Sequence, residues 1–253
     1  MPSRPTLDAA LRYLTMGLRV IPLRPRASDA DEMWRQYQAA LALAAEDGVH
    51  AETHRSRLAD VVRLKEIVDV PKTPAGRKWQ EFQKRQMTTE EATSWWGNDT
   101  PRYGLALVMG RLTGMVAVDL DSPESHAYAV ANLPATPMRV RTSRGEHWLY
   151  RHPHADLDCA DCQANPSGVC KPHKCGNKGG VTLPDGTKLK KLDVRGDGGY
   201  ICAPPTIHPS GTQYECLGEW DASTITSLPV YDPAWFQVAT TSESQADTRY
   251  YVN

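Results

Sequence analysis

Net charge is what this 253-residue sequence has least of. Its 29 Lys and Arg stand against 30 Asp and Glu, a formal −1. No global excess of positive charge therefore marks a nucleic-acid binder, and any basic surface must be local. Long apolar runs are missing too: the longest, Ala39 to Ala45, falls far short of the roughly 20 residues a membrane span needs. Met1-Pro-Ser-Arg4 lacks the charged-then-apolar layout of a signal peptide. A Gly-x4-Gly-Lys-Ser/Thr phosphate loop is absent as well, which argues against a helicase motor within the chain. These absences point to a soluble cytoplasmic protein with no membrane partner. Core-forming residues are not scarce, since 40% of the chain is hydrophobic and 23% charged, ordinary values for a globular protein.

No internal repeat is present, and the spacing of apolar residues predicts helices first and strands after. Leu7, Leu11 and Leu14 share one face of a helix over 7–17, and Leu18 to Leu23 reads as a short strand. Ser28 with Asp31 predicts a helix start, and Met33, Tyr37, Leu41 and Ala44 continue it toward Gly48. Arg57 to Val68 predicts its partner, so 28–66 reads as a helical hairpin. Thr88 and Glu91 form a capping-box pattern opening a helix that reaches Trp95-Trp96. Gly104–Met109 and Met115–Leu120 read as buried strands joined by a tight turn. A helix over Ser122–Asn132 follows. Strands at Met138–Thr142 and Trp148–Arg151 flank a Ser143–Gly145 turn, and strands at Leu189–Val194 and Gly199–Ala203 flank Arg195–Gly198. Residues 240–253 are polar and read as a tail or linker. The expected class is α+β with a mixed or antiparallel β-sheet, the mixed form being the one adopted.

The chemistry concentrates where strands end. Asp119 and Asp121 close an apolar strand, and side chains two apart share a face, so both carboxylates point the same way. Such a pair repels unless a cation sits between its members, and Mg²⁺ accepts that arrangement while keeping positions open for phosphate oxygens. The alternative is a solvated strand end. Thr142-Ser-Arg-Gly145-Glu-His147 offers turn amides for an anion and an imidazole at the next strand's start. Read alone, it is better taken as a turn histidine without a ligand. Asp193 near the end of a basic-apolar strand can complete a three-carboxylate site, and Arg195 follows on its face. Asp197, within glycines, reads as a turn former.

Four of the six cysteines lie between positions 159 and 175. Cys159-x2-Cys162, then Cys170, His173 and Cys175, is the spacing of a structural Zn²⁺ site. Five candidates compete for four places, with His173 and Cys175 contending for the last. The surrounding Gly, Asn, Asp and Pro supply almost no apolar core, so the metal would fold the segment. A redox Cys-x2-Cys is disfavoured because no helix is predicted after Cys162. Cys202 and Cys216 read as buried thiols.

In combination the segments Tyr103–Asp121, Arg141–Arg151 and Leu192–Gly211 resemble the bifunctional primase-polymerase (Prim-Pol) domains of phage and plasmid replication proteins, members of the archaeo-eukaryotic primase superfamily. Gly17–Pro25 and Lys72–Phe82 resemble the family's opening, which makes Lys72 a further candidate. The resemblance implies an RRM-like catalytic core over 1–239 that makes primers on single-stranded DNA and extends them from nucleoside triphosphates. It implies Asp119, Asp121 and Asp193 as catalytic ligands of Mg²⁺ or Mn²⁺, and Gly145, His147 and Arg195 as nucleotide-binding. It also implies a zinc-binding stem over 152–180, and often a helicase domain C-terminal to the catalytic one. The 28–66 hairpin is longer than the family pattern leads one to expect. The rival readings are a non-catalytic zinc-containing DNA-binding module using the Lys188–Arg195 patch, and an aspartate-based phosphohydrolase, which gives no role to the glycine–histidine turn.

Overall fold

A computed structural model describes residues 4–45, 51–76, 78–98, 102–165, 168–183 and 186–236. The predicted helix end near Gly48 and the tail at 240–253 lie outside the described residues. Helix α1 (Pro5–Thr15) opens on a proline, tolerated because first-turn amides lack helical partners, and buries Leu7, Ala10 and Tyr13. Strand β1 (Val20–Leu23) is buried throughout. Helices α2 (Ala30–Ala45) and α3 (Ala51–Val68) then pack against each other. In α4 (Thr89–Trp96) the predicted capping box forms: the Thr88 hydroxyl accepts from the Glu91 amide at 3.2 Å, and Glu91 accepts from the Thr88 amide at 2.8 Å. The remaining elements are β2 (Gly104–Val108), β3 (Met115–Leu120), α5 (Pro123–Asn132), β4 (Met138–Arg141), β5 (Glu146–Arg151), α6 (Ala160–Ala164), β6 (Val181–Thr182), β7 (Lys188–Leu189), β8 (Leu192–Arg195), β9 (Tyr200–Cys202), β10 (Glu215–Gly218) and α7 (Ala222–Ser227). Among the described residues no helix is long and apolar enough to cross a membrane.

The fold is α+β, with three sheets ordered β1-β2-β9, β10-β4-β5-β3-β8 and β6-β7. Among the described residues every ladder is antiparallel, and the parallel pairing is an isolated bridge from Arg151 to Val230, so the antiparallel reading holds and the mixed one is corrected. The predicted tight turn at Gly110–Gly114 forms, with Gly110 and Met115 exchanging both backbone hydrogen bonds at 2.7 and 3.2 Å. Beyond their turns, however, the strands joined at Gly110–Gly114 and at Gly196–Gly199 enter different sheets, since β2 and β9 pair in the three-stranded sheet while β3 and β8 pair in the five-stranded one. Apolar runs buried on both faces look alike in sequence whether they join in a hairpin or at a corner. The two corners touch. Gly110 has φ +119°, and a Cβ there would meet Asp197 Oδ1 at 2.6 Å.

Strand β3 separates two cores through its alternation. Met115 and Ala117 pack with Leu149, Met138, Val140, Leu105, Leu107 and Ile201 between the larger sheets. Val116, Val118 and Leu120 pack on the other side with Ala129, Trp148, Tyr150, Leu192 and Val194. The odd-numbered face therefore runs from fully buried Met115 and Ala117 to Asp119, and a fixed apolar floor leads up to the carboxylate.

Candidate active site

The ladder register brings the predicted acids together. Asp119 on β3 stands opposite His147 on β5 in one direction and opposite Asp193 on β8 in the other. Asp121 lies two residues beyond Asp119, just past the strand, its amide donating to the Lys191 carbonyl at 2.9 Å. Asp121 and Asp193 each have a cation: Arg144 donates to Asp121 at 2.5 Å and Arg195 to Asp193 at 2.7 Å. Asp193 also accepts the Gly180 amide at 2.8 Å. Asp119 has no such partner. Its Oδ1 is enclosed without a hydrogen bond, 3.4 Å from His147 Nε2, and His147 Nδ1 is equally orphaned. Burial above all, then the charge of Asp121, pushes the Asp119 carboxyl up to about 8, against the pull of Arg195. Burial likewise holds the His147 imidazole down at about 4, aided by Arg195 and Lys72 and opposed by Asp121. The imidazole is thus neutral at pH 7.

Lys72 belongs to this surface. It pairs with Asp69 at 3.0 Å, its carbonyl accepts the Tyr200 hydroxyl at 3.0 Å, and its charge acts on both His147 and His208. Asp69 is paired with Lys65 and Lys72, Asp121 with Arg144 and Asp193 with Arg195, so Asp119, with its orphaned oxygen, is the acid of this group without a cation of its own. Hard oxygen donors with one unpaired buried member suit Mg²⁺ or Mn²⁺.

The glycine turn works differently from its sequence reading. The amides of Arg144 and Gly145 donate to Thr142 Oγ1 at 3.2 and 3.0 Å, so they do not form an open anion nest in this conformation. Gly145 is required for close approach: a Cβ would lie 1.8 Å from the Leu120 carbonyl. It lets the β4–β5 turn press against the end of the strand that carries the acids. A cleft of about 500 Å³, lined among others by Ser122, His126, Arg141 and Glu146, lies by the same turn on the side away from His147.

The sequence matches the family described as bifunctional DNA primase/polymerase, N-terminal, over residues 10–235. The chain belongs to that family. No curated protein matches it significantly. Membership supports DNA primase/polymerase-type nucleotidyl transfer, with nucleotides and single-stranded DNA as the general partners and divalent metals as the general cofactors.

In this Prim-Pol chain the cysteine segment resolves into a cluster. Cys159, Cys162, Cys170 and His173 bring one ligand atom each to within 4.8 Å of one another, a Cys3His set that could hold zinc. His173 Nδ1 lies 3.2 Å from Cys170 Sγ and 3.4 Å from Cys162 Sγ. Burial opposes ionisation of Cys162, yet hydrogen bonding from the Cys170 amide and His173 holds its thiol down at about 7. Cys175 stays out, packed in the second core with its thiol pushed up to about 11 by burial. Cys162 lies in the short helix α6 rather than in coil. Of the two remaining cysteines, Cys202 is half-buried, whereas Cys216 is exposed because β10 is a sheet edge.

The largest departure from the residue roles expected of the sequence is Asp197. It joins the corners and the cysteine segment, accepting the Arg111 amide at 2.7 Å, the Cys175 amide at 2.9 Å and His152 Nε2 at 3.1 Å. The chain then returns along β8, with Lys178 and Val194 exchanging both backbone hydrogen bonds at 2.9 Å. Gly180 thereby reaches Asp193. His208 and Tyr214 also stand by the site without a role expected from sequence; the Pro-Pro-x-x-His segment is the available signal.

Proposed function

We propose that the protein is a template-directed nucleotidyltransferase that synthesises primers on single-stranded DNA and extends them at Asp119, Asp121 and Asp193. The observation that carries this reading is the orphaned Asp119 oxygen, set in a ladder row between His147 and Asp193 and flanked by arginine-paired carboxylates. The three aspartates would hold Mg²⁺ or Mn²⁺, and when bound such ions lower the pKa of the attacking hydroxyl and neutralise the pyrophosphate leaving group. The protein's part is positioning and charge. Arg195 and Lys72 place cations where a triphosphate would lie against the acids. His147 contributes as a neutral donor rather than as an imidazolium. Five exposed lysines (Lys171, Lys174, Lys188, Lys190 and Lys191) have no ion-pair partner among the described residues and suit the template backbone. In this reading the five-stranded sheet is the RRM-like core of a catalytic domain over 1–239. Residues 28–66 form an insertion, and 152–180 a stem whose Zn²⁺ site is structural.

The test is de novo synthesis on circular single-stranded DNA with ribo- or deoxyribonucleoside triphosphates and Mg²⁺ or Mn²⁺. Short products are expected from the wild type and none from Asp119→Asn. DNA binding without synthesis by the wild type would instead identify the non-catalytic module.

A further inference from the structure

The ring that stands against Asp119 is the first of a series. From His147 the Tyr214 ring is 6.1 Å away, the His208 ring is 6.1 Å beyond it, and the Trp34 indole meets His208 edge-on at 5.3 Å. His147, Tyr214 and His208 are buried. Trp34 is only partly covered, and its indole N–H has no acceptor among the described residues. A wall of rings therefore runs from the acids to helix α2, and its last member is the open one.

The helix that carries Trp34 is tied to the His208 loop. Arg26 pairs with Asp31 and donates to the Pro209 carbonyl at 3.1 Å, fastening the first turn of α2 to the loop that carries His208. That loop is held in turn: Thr206 Oγ1 accepts from the Leu105 amide at 2.7 Å and donates to its carbonyl at 2.8 Å. His208 Nδ1 accepts the Ser210 amide at 3.1 Å, so Nε2 carries the ring proton. Packing does not account for the indole. Ala30 is the buried residue of α2, and the Trp34 and Tyr37 rings lie 5.6 Å apart, tilted at 54°, on its partly covered side.

We propose that Trp34 is a nucleobase-stacking residue, with α2 closing the end of the site where a base would lie while its phosphates point toward His147 and the acids. This rests on the nucleotidyl-transfer reading above. The base comes either from the incoming nucleotide or from the template, and equilibrium binding separates the two without turnover. Calorimetry would measure dTTP binding in the presence of Mn²⁺, and anisotropy of a fluorescein-labelled oligo-dT would measure template binding, for wild type, Trp34→Ala, Trp34→Leu and Trp34→Phe.

Trp34→Ala is expected to weaken one of the two by about ten- to a hundredfold, the range of base–aromatic stacking. Loss of dTTP binding assigns the incoming base, and loss of oligo-dT binding the template base. Trp34→Phe should recover most of the affinity and Trp34→Leu little of it, because a leucine restores bulk but no π-face. Recovery by Trp34→Leu, changes below about twofold in both assays, or a wild type that binds neither ligand would overturn the proposal. If Trp34→Ala loses binding while the wild type makes no primers, the stacking role stands and the catalytic reading falls. If the wild type makes primers and Trp34→Ala keeps both affinities, the catalytic reading stands and the stacking role falls.

Discussion

The acidic row and the cysteine cluster are both sets of side chains that could hold a metal, but they are held together by opposite means. Asp119, His147 and Asp193 come from three strands and meet because ladder register aligns them. Met115, Ala117 and Leu149, all fully buried, support them from below. The cluster at 159–173 is assembled locally, and among the described residues its buried apolar core is Cys162, Val169 and Cys170. It is tied to the body by the Arg111 guanidinium, which donates to the Gly168 carbonyl at 3.1 Å and to the Leu157 carbonyl, and by the His154 ring, tilted against His173 at 4.7 Å. The first site is therefore framed by strand pairing whether or not a metal is bound, and burial opposes ionisation of its central acid. The second has little buried area of its own and would depend on a bound metal for structure. Activity and local order should respond to different ions.

The largest effect expected from that contrast is on catalysis. Asp119→Asn keeps the shape of the side chain but cannot ionise toward a metal, so synthesis should fall by more than about a thousandfold, roughly 4 kcal/mol in barrier. Activity within about tenfold of wild type, measured by primer extension, would break the assignment. Cys162→Ser should act on the other site. Metal analysis should find one tightly bound zinc in the wild type after gel filtration and none in the variant. Primer initiation should suffer more than extension of a pre-annealed primer, because initiation has no duplex to steady the substrates. Equal losses would reduce the cluster to a fold-holding role.

Asp197 sharpens the comparison because it joins the two regions. Asp197→Ala strands the Arg111 and Cys175 amides and the buried His152, and should lower unfolding free energy by about 2–4 kcal/mol. Hydrogen bonds from His152 and the two amides hold its carboxyl below the usual range although burial works against them. That contribution is complete above about pH 4 and is lost as pH falls further. Urea melts of the variant should therefore show a flatter acid limb than the wild type. Thr88→Ala, remote from both sites, removes one capping bond and should cost only about 1 kcal/mol with no change in activity.

Local features were legible in the sequence: the Thr88–Glu91 box, the strand ending at Asp119, the β4–β5 turn and the helical pair all form as the pattern predicts. The departures were decided by contacts far apart in the chain. Periodicity marks Gly104–Val108 and Met115–Leu120 as buried strands but does not say that they enter different sheets. Asp197 carries turn chemistry in its neighbours, yet its partners lie 22, 45 and 86 residues away. His173 and Cys175 are two residues apart, and the choice between them depends on Asp197 drawing the Cys175 amide toward the second core. Gly145 was expected to leave an amide free, whereas the Leu120 carbonyl leaves no room for any side chain there.

The account's central claim is that burial and its acidic neighbours keep Asp119 from ionising until a divalent cation joins it to Asp121 and Asp193. The most direct test is the thermal midpoint of zinc-loaded protein, freed of other divalent ions by gel filtration, as Mn²⁺ is added. The account predicts that Asp119→Asn begins at least as stable as the wild type. Mn²⁺ at about a hundred times its Kd should raise the wild-type midpoint by about 5–10 °C and leave the variant nearly unmoved. A variant that starts clearly less stable, or that gains as much from Mn²⁺ as the wild type does, would contradict it.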